Sequence, residues 1–512
     1  MSQTGLTPEQ IRTLAEAIAR EIRPGGPSGG SKPASTSSGP MCAPAPPHAP
    51  RPSTAPRAPS PSGGGARGGV YGDGVFQTLD QAIDAAVAAF YTFGDLGLSK
   101  RTAIIAALRQ ALRVESDRLA KEAWEETKLG RYEDKRQKNA LVIEKTPGTE
   151  ILVPQAITGD HGLVLIEPAP FGVIGAITPV TNPTSTIICN AIGMLAAGNS
   201  VVFNVHPSAK KVSAETVRVI NRAIVAAGGP PNTVTCMAEP TLESAQALMA
   251  HPKIRILVIT GGPGVVKAAM LSGKRAICGG PGNPPVVVDE TADIEQAGKR
   301  IVYGHSFDNN IICVDEKECI VVDAVANDLK KAMVRNGAYE VHARDLQRLE
   351  KIIFSKNAGP RGHATVNKDL VGKDASVILK ELGVHAGPEV RCLIVEVPND
   401  HPLVWTEQMM PVLPVTRVRN VDEAIDLAVQ AEGACFHTSM MHSHDIRALS
   451  KMARECNCSI FSKNGTGVDG LAHNGEGYTS FTIASPTGEG LTTAASFSRW
   501  RRCTLRDHFR IV

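Results

Sequence analysis

Cys313 closes the polar run Gly304-His305-Ser306-Phe307-Asp308-Asn309-Asn310-Ile311-Ile312 and leads into an apolar strand expected over 319–322. A thiol where a turn-forming loop meets a rigid element is well placed to attack an electrophilic carbon. The competing reading is a structural thiol, because free cysteine packs as a small hydrophobe and the chain has eleven cysteines. Three other stretches carry groups that carbonyl chemistry could use. In Thr178-Pro179-Val180-Thr181-Asn182-Pro183-Thr184, Asn182 precedes a proline that holds its backbone extended. Its amide could donate to a developing oxyanion, or cap the helix that follows. Thr260-Gly261-Gly262-Pro263-Gly264 joins a strand to a helix, and glycines at a helix N-terminus suit a nucleotide phosphate. The turn lacks the full dinucleotide glycine spacing, and a plain strand-to-helix turn uses the same residues. In Thr406-Glu407-Gln408-Met409-Met410-Pro411, the Glu407 carboxylate could hold a ribose hydroxyl or be a solvated loop charge.

These groups need a scaffold that brings strand ends together. Apolar periodicity predicts helices over 79–91, 99–115 and 117–129, then a hairpin with strands over 149–153 and 162–166. From residue 171 strands and helices alternate. Strands are expected over 173–177, 201–205, 233–237, 254–259 and 286–289. A second series follows Cys313, with strands over 319–322, 391–397, 413–418, 434–440 and 459–461. Short apolar strands alternating with helices give parallel sheets covered on both faces. The tail after residue 479 is polar and strand-like, and is expected to pair with the hairpin or with a neighbouring subunit.

The 512 residues carry a net charge of +3, with no basic stripe interleaved with aromatics, which argues against nucleic acid as a partner. An odd number of scattered cysteines, without a secretory leader, points to reduced thiols in a cytoplasm. Cys456 and Cys458 flank one residue, which is not zinc spacing, so no metal is expected. No apolar run reaches membrane-spanning length. Residues 6–22 read as a capped amphipathic helix, with Thr7, Pro8 and Gln10 at its start and Ile11, Leu14, Ile18 and Ile22 on one face. Residues 25–69 are rich in proline, glycine and serine and contain no acid, the composition of an unfolded linker. A short helix on a long tether is expected to dock on something else.

Several runs together carry a specific resemblance: 178–183, 203–208 (Phe-Asn-Val-His-Pro-Ser), 280–289 (Gly-Pro-Gly-Asn-Pro-Pro-Val-Val-Val-Asp), 306–311, 407–414, 437–443 and 481–492. Their order and separation resemble the aldehyde dehydrogenase superfamily, and within it the CoA-acylating enzymes of bacterial microcompartments. The likeness covers residues 75–505. It implies an α/β fold with a Rossmann-like cofactor domain over 70–304 and a catalytic domain over 305–478. The hairpin at 146–167 and the tail at 479–512 would serve oligomerisation, as a homodimer or homotetramer. Residues 1–24 would be an encapsulation helix that docks on shell proteins through residues 6–22, in the compartment lumen.

The same resemblance makes Cys313 the nucleophile, with Asn182 and the Cys313 N–H as oxyanion donors. It assigns Thr178, Pro179, His206, Gly262, Val265, Glu407 and Pro411 to cofactor binding. NAD is the expected cofactor. The segment around Ala209 offers no carboxylate to repel a 2′-phosphate, so NADP is not excluded. CoA would be the co-substrate and a short aldehyde the substrate, propionaldehyde first and acetaldehyde next. Hydrolytic relatives keep a water-activating glutamate before the Pro-Pro strand. Here residues 274–288 contain no carboxylate, and Cys278 and Gly279 stand in its place. A hydrolytic enzyme and a non-catalytic shell adaptor are the competing readings; the missing base argues against the first, the intact Cys313, Asn182 and Glu407 against the second.

Overall fold

The computed structural model describes residues 71–512, all within the compact unit Arg67–Val512. The expected helix at 6–22 and linker at 25–69 lie outside the described residues.

Two parallel sheets form the body. The first has the spatial order Val75–Phe76, Val234–Met237, Ser200–Asn204, Val173–Ile177, Ile254–Thr260, Ala276–Gly279. After the edge strand Val75–Phe76, the chain enters near the middle at Val173–Ile177, builds outward to one side, then crosses back to place Ile254–Thr260 on the other flank of Val173–Ile177. That reversal is a topological switch point, and ligands bind beyond the carboxyl ends of the strands there. The second sheet runs Ala338–Val341, Cys392–Glu396, Val412–Val418, Glu318–Val322, Pro285–Val288, Thr438–His442, Ile460–Lys463. Successive residues of a strand serve opposite faces. Ile174 and Ala176 enter one core while Val173 and Ile177 enter another. Val287 and Ile320 likewise face away from Val286 and Val321.

The structure corrects several sequence expectations. The strand at 285–288 pairs with Glu318–Val322 and Thr438–His442, so the change of sheet comes before it and not at residue 304. The two helices expected over 99–129 are one, Leu98–Thr127. No proline or glycine interrupts it, and Arg118 ties Glu115 to Glu122 across the expected break. Residues 149–151 form a 3-10 turn; the hairpin strands are Gln155–Gly159 and Gly162–Pro170. The strand expected from 434 begins at Thr438, because Ala434 and Phe436 take left-handed φ values of 58° and 52°. Sequence periodicity missed the helix Tyr132–Lys145 entirely, since it buries Asp134, Lys135, Lys138 and Asn139 along with its apolar residues.

The tail strand Ser498–Arg506 pairs antiparallel with Gly162–Pro170, giving a three-stranded sheet with the hairpin. Among the described residues no helix is long and apolar enough to cross a membrane, and no group of three or more His, Cys, Asp or Glu could hold a metal ion.

Candidate active site

The nucleophile loop follows helix Ile294–Ser306 and contains three consecutive left-handed residues, Asp308, Asn309 and Asn310, with φ of 47°, 56° and 65°. Aspartate and asparagine tolerate this region better than other side chains, yet each such residue still costs about 1–3 kcal/mol. Hydrogen bonds hold every one of them. Asp308 accepts from the Arg131 N–H at 2.6 Å and from Lys135 Nζ at 3.1 Å, and its own N–H donates to Asp134 at 2.9 Å. Asn309 Nδ2 donates to the Gly372 carbonyl and to Asp374, and Asn310 Nδ2 to the carbonyls of His305 and Glu316. Gly130 is required beside Asp308, because a Cβ there would stand 2.0 Å from Oδ1.

Lys317 closes the loop from below. Its buried ammonium donates to the Asn310 carbonyl at 2.9 Å, Asn310 Oδ1 at 2.8 Å and the Ile312 carbonyl at 3.1 Å. All three of its N–H groups are thereby used on the backbone and side chain that deliver Cys313. Cys313 itself is half-buried, unlike the fully buried Cys189, Cys236, Cys278, Cys319 and Cys392. Burial, and then the Glu407 charge, push its thiol up to about 12, with Lys317 pulling the other way. The thiol therefore carries its proton at neutral pH, and thiolate rises with pH. Iodoacetamide alkylation of Cys313, followed by peptide mass spectrometry, should accelerate about tenfold per pH unit between pH 7 and 9. Glu407→Gln should raise the rate across that range; a plateau by pH 8 would contradict the assignment.

Asn182 occupies the N-cap position of helix Pro183–Ala196, but its side chain makes no capping bond. Oδ1 instead accepts from Lys138 Nζ at 2.6 Å, and Nδ2 donates to Thr181 Oγ1 at 3.1 Å. Lys138 also binds Asp308, which links Asn182 to the nucleophile loop.

Glu407 takes a backbone hydrogen bond from Gly282, and burial raises its carboxyl against the opposing pull of Lys317. A Cβ on Gly282 would lie 2.9 Å from the His437 ring and 3.0 Å from the Cys313 carbonyl, so this glycine lets the three segments meet. The His437 imidazole is buried, pairs through Nδ1 with Thr438 Oγ1 at 2.9 Å, and leaves Nε2 without a partner. Burial and Lys317 lower it to about 4, so it is neutral at physiological pH.

The expected cofactor residues divide. Thr178 and Pro179 follow strand Val173–Ile177, His206 follows Ser200–Asn204, and Gly262 and Val265 follow Ile254–Thr260. These three strands are adjacent and in register at their carboxyl ends, with Ile177 opposite both Asn204 and Ile259. The buried Thr178 Oγ1 has no partner, and Gly262 opens helix Pro263–Met270 with free space where a Cβ would be. An unpartnered hydroxyl beside an open helix N-terminus at a switch point fits a dinucleotide. Pro411 lies in the other sheet: it is buried just before strand Val412–Val418, and its carbonyl accepts from the Leu393 N–H.

Cys278 and Gly279 end the last strand of the first sheet, under the tail. The Cys278 N–H donates to Thr487 Oγ1, and a Cβ on Gly279 would be 3.2 Å from the Ile483 carbonyl. Burial pushes the Cys278 thiol up to about 11, so it is no base at neutral pH. Sequence reasoning missed Lys135, Lys138 and Lys317. A lysine is ordinarily a solvated surface charge, and only the long-range pairing with Asp308 and the loop carbonyls reveals the buried ones.

The profile of the aldehyde dehydrogenase family matches residues 69–482. The acetylating acetaldehyde dehydrogenase of Salmonella typhimurium is 50% identical over 440 residues, 86% of this chain and 94% of that one. A structure of Rhodopseudomonas palustris propionaldehyde dehydrogenase, with bound CoA and an acylated cysteine, is 48% identical with a TM-score of 0.83, covering 85% of this chain and 99% of that one. A propionaldehyde dehydrogenase from the fucose utilisation bacterial microcompartment of Clostridium phytofermentans is 44% identical with a TM-score of 0.83, covering 86% and 100%.

Proposed function

This chain belongs to the aldehyde dehydrogenase family, and we propose that it is a CoA-acylating member, converting a short aldehyde, NAD and CoA into acyl-CoA and NADH. One observation carries the acylating reading: the position of the water-activating base holds Cys278 and Gly279, packed beneath residues 483–487. A thioester on Cys313 then has no carboxylate at that position to draw water onto it, while CoA brings its own nucleophile. The CoA thiol has a pKa around 8.5 by analogy with free cysteine, so some thiolate exists at neutral pH.

The residues divide the work as follows. Cys313 attacks the aldehyde carbon as its minor thiolate fraction, the thiol proton having passed to solvent, and the carbonyl electrons move to oxygen. Asn182 Nδ2 and the Cys313 N–H donate to that oxyanion. NAD, when bound, supplies the hydride acceptor that turns the adduct into a thioester; Thr178, His206, Gly262, Val265 and Glu407 would hold it. His206 is exposed at the strand end, with no acid in the segment that follows, which leaves room for NADP. CoA thiolate then attacks the thioester carbon and the Cys313 thiolate leaves. His437 Nε2, neutral and without a partner, can take the CoA thiol proton whose loss forms that thiolate.

Relatives acting on acetaldehyde and on propionaldehyde are similarly close, which supports a two- or three-carbon aldehyde. The three-stranded sheet exposes Ile157, Trp500 and Leu505, a surface suited to a second copy of the chain and so to a homodimer or homotetramer. Residues 6–22, with their amphipathic pattern, would dock on shell proteins and place the enzyme in a microcompartment lumen. Assaying aldehyde and NAD with and without CoA tests the activity: acyl-CoA should be the product, and free acid formed at an equal rate without CoA would overturn it. Deleting residues 1–24 should leave turnover unchanged and abolish co-purification with shells; retained co-purification would reject the docking role.

A further inference from the structure

The Asn182 amide stands between two side chains of different hydrogen-bonding character. Lys138 Nζ has only protons to give, so the atom it meets at 2.6 Å must be the amide oxygen. The other end of the amide is then Nδ2, which donates one proton to Thr181 Oγ1 at 3.1 Å and keeps the second. Turned the other way, the amide would oppose N–H to ammonium. Lys138 is itself held: it is 2% exposed and shares the Asp308 carboxylate with Lys135. Asp308 in turn begins the left-handed stretch that leads to Cys313.

We propose that Lys138, with Thr181, is a positioning clamp that fixes the Asn182 amide with an N–H toward the reacting oxygen. Through Asp308 the same cation keeps that donor in register with the nucleophile loop. The proposal rests on the oxyanion role of Asn182. It adds that the donor is oriented and polarised by a buried ammonium that never touches substrate. Lys135 provides an internal control. It is as buried as Lys138 and pairs with the same carboxylate, but its remaining contact is the Thr181 carbonyl at 3.4 Å, not the Asn182 side chain.

The test is a double-mutant cycle on the full-length enzyme, read as the single-turnover rate of NADH formation with saturating aldehyde and NAD. Lys138→Met should slow acylation at least about tenfold, approaching the loss expected for a missing donor. In an Asn182→Ala background it should lose most of that effect, keeping no more than Lys135→Met shows through the shared Asp308 carboxylate, because the amide it positions is gone. Lys135→Met should keep its own, structural effect in both backgrounds. Thr181→Val, which loosens the other anchor at a partly exposed site, should behave like Lys138→Met and answers the question if the latter does not fold. Effects of Lys138→Met or Thr181→Val that multiply with Asn182→Ala would overturn the clamp. Full activity of Asn182→Ala would instead remove the oxyanion reading beneath it.

Discussion

Replacing Cys313 by alanine is expected to abolish both NADH and acyl-CoA formation, a fall of about 10⁴-fold or more. The substitution removes the atom that bonds to substrate, and no other thiol can stand in. Cys278 is buried in the last strand of the first sheet, and Cys435 lies in the turn before strand Thr438–His442, outside the loop that presents Cys313. The loop itself should survive the change. Its left-handed residues are held by Asp308, Asn309, Asn310 and Lys317, none of which bonds to the Cys313 side chain. Cofactor affinity, measured by fluorescence titration, should therefore stay near that of the unsubstituted enzyme while turnover vanishes. NADH production retained with aldehyde and CoA would sink the assignment.

Asn182→Ala should lower turnover by about 10²–10³-fold, or about 2.7–4 kcal/mol of lost transition-state stabilisation. The loss should fall on kcat and leave the KM for NAD unchanged, since the amide acts on charge that develops only during the reaction. Stability should change little. Removing Asn182 leaves Lys138 still paired with Asp308, so no buried charge is stranded, and the helix loses no cap because this side chain was not capping it. A kcat within about threefold of the parent would contradict the role, as a lost oxyanion donor cannot be so cheap.

Much of the framework was legible because it follows from local pattern. The strands at 173–177 and 254–259 and the helix begun at residue 79 are apolar runs of the length and period their structure demands, and they form as Val173–Ile177, Ile254–Thr260 and Leu79–Gly94. The tail was legible for another reason: its last strand, Ser498–Arg506, is exposed along almost its whole length, and Gly162–Pro170 supplies the partner it needs. What sequence could not give is what depends on distant pairing. Helix Tyr132–Lys145 looks like a surface segment until Asp308 arrives to neutralise Lys135 and Lys138. The strand at 285–288 reads as the end of one alternating series, and only its hydrogen bonds to Glu318–Val322 assign it to the next. Asn182 was read as either oxyanion donor or helix cap. The side chain turns toward Lys138 and makes no cap.

The central claim is that a thioester on Cys313 waits for CoA because Cys278 and Gly279, and no carboxylate, stand at the water-activating position. Its most direct test mixes enzyme, NAD and propionaldehyde without CoA, following NADH by absorbance and the Cys313 peptide by mass spectrometry. The account predicts one NADH per active site, a matching acyl mass on Cys313 and then a stall, with CoA discharging the acyl group as acyl-CoA and restarting turnover. Continuous NADH formation without CoA, with free acid accumulating and no acylated Cys313, would contradict it.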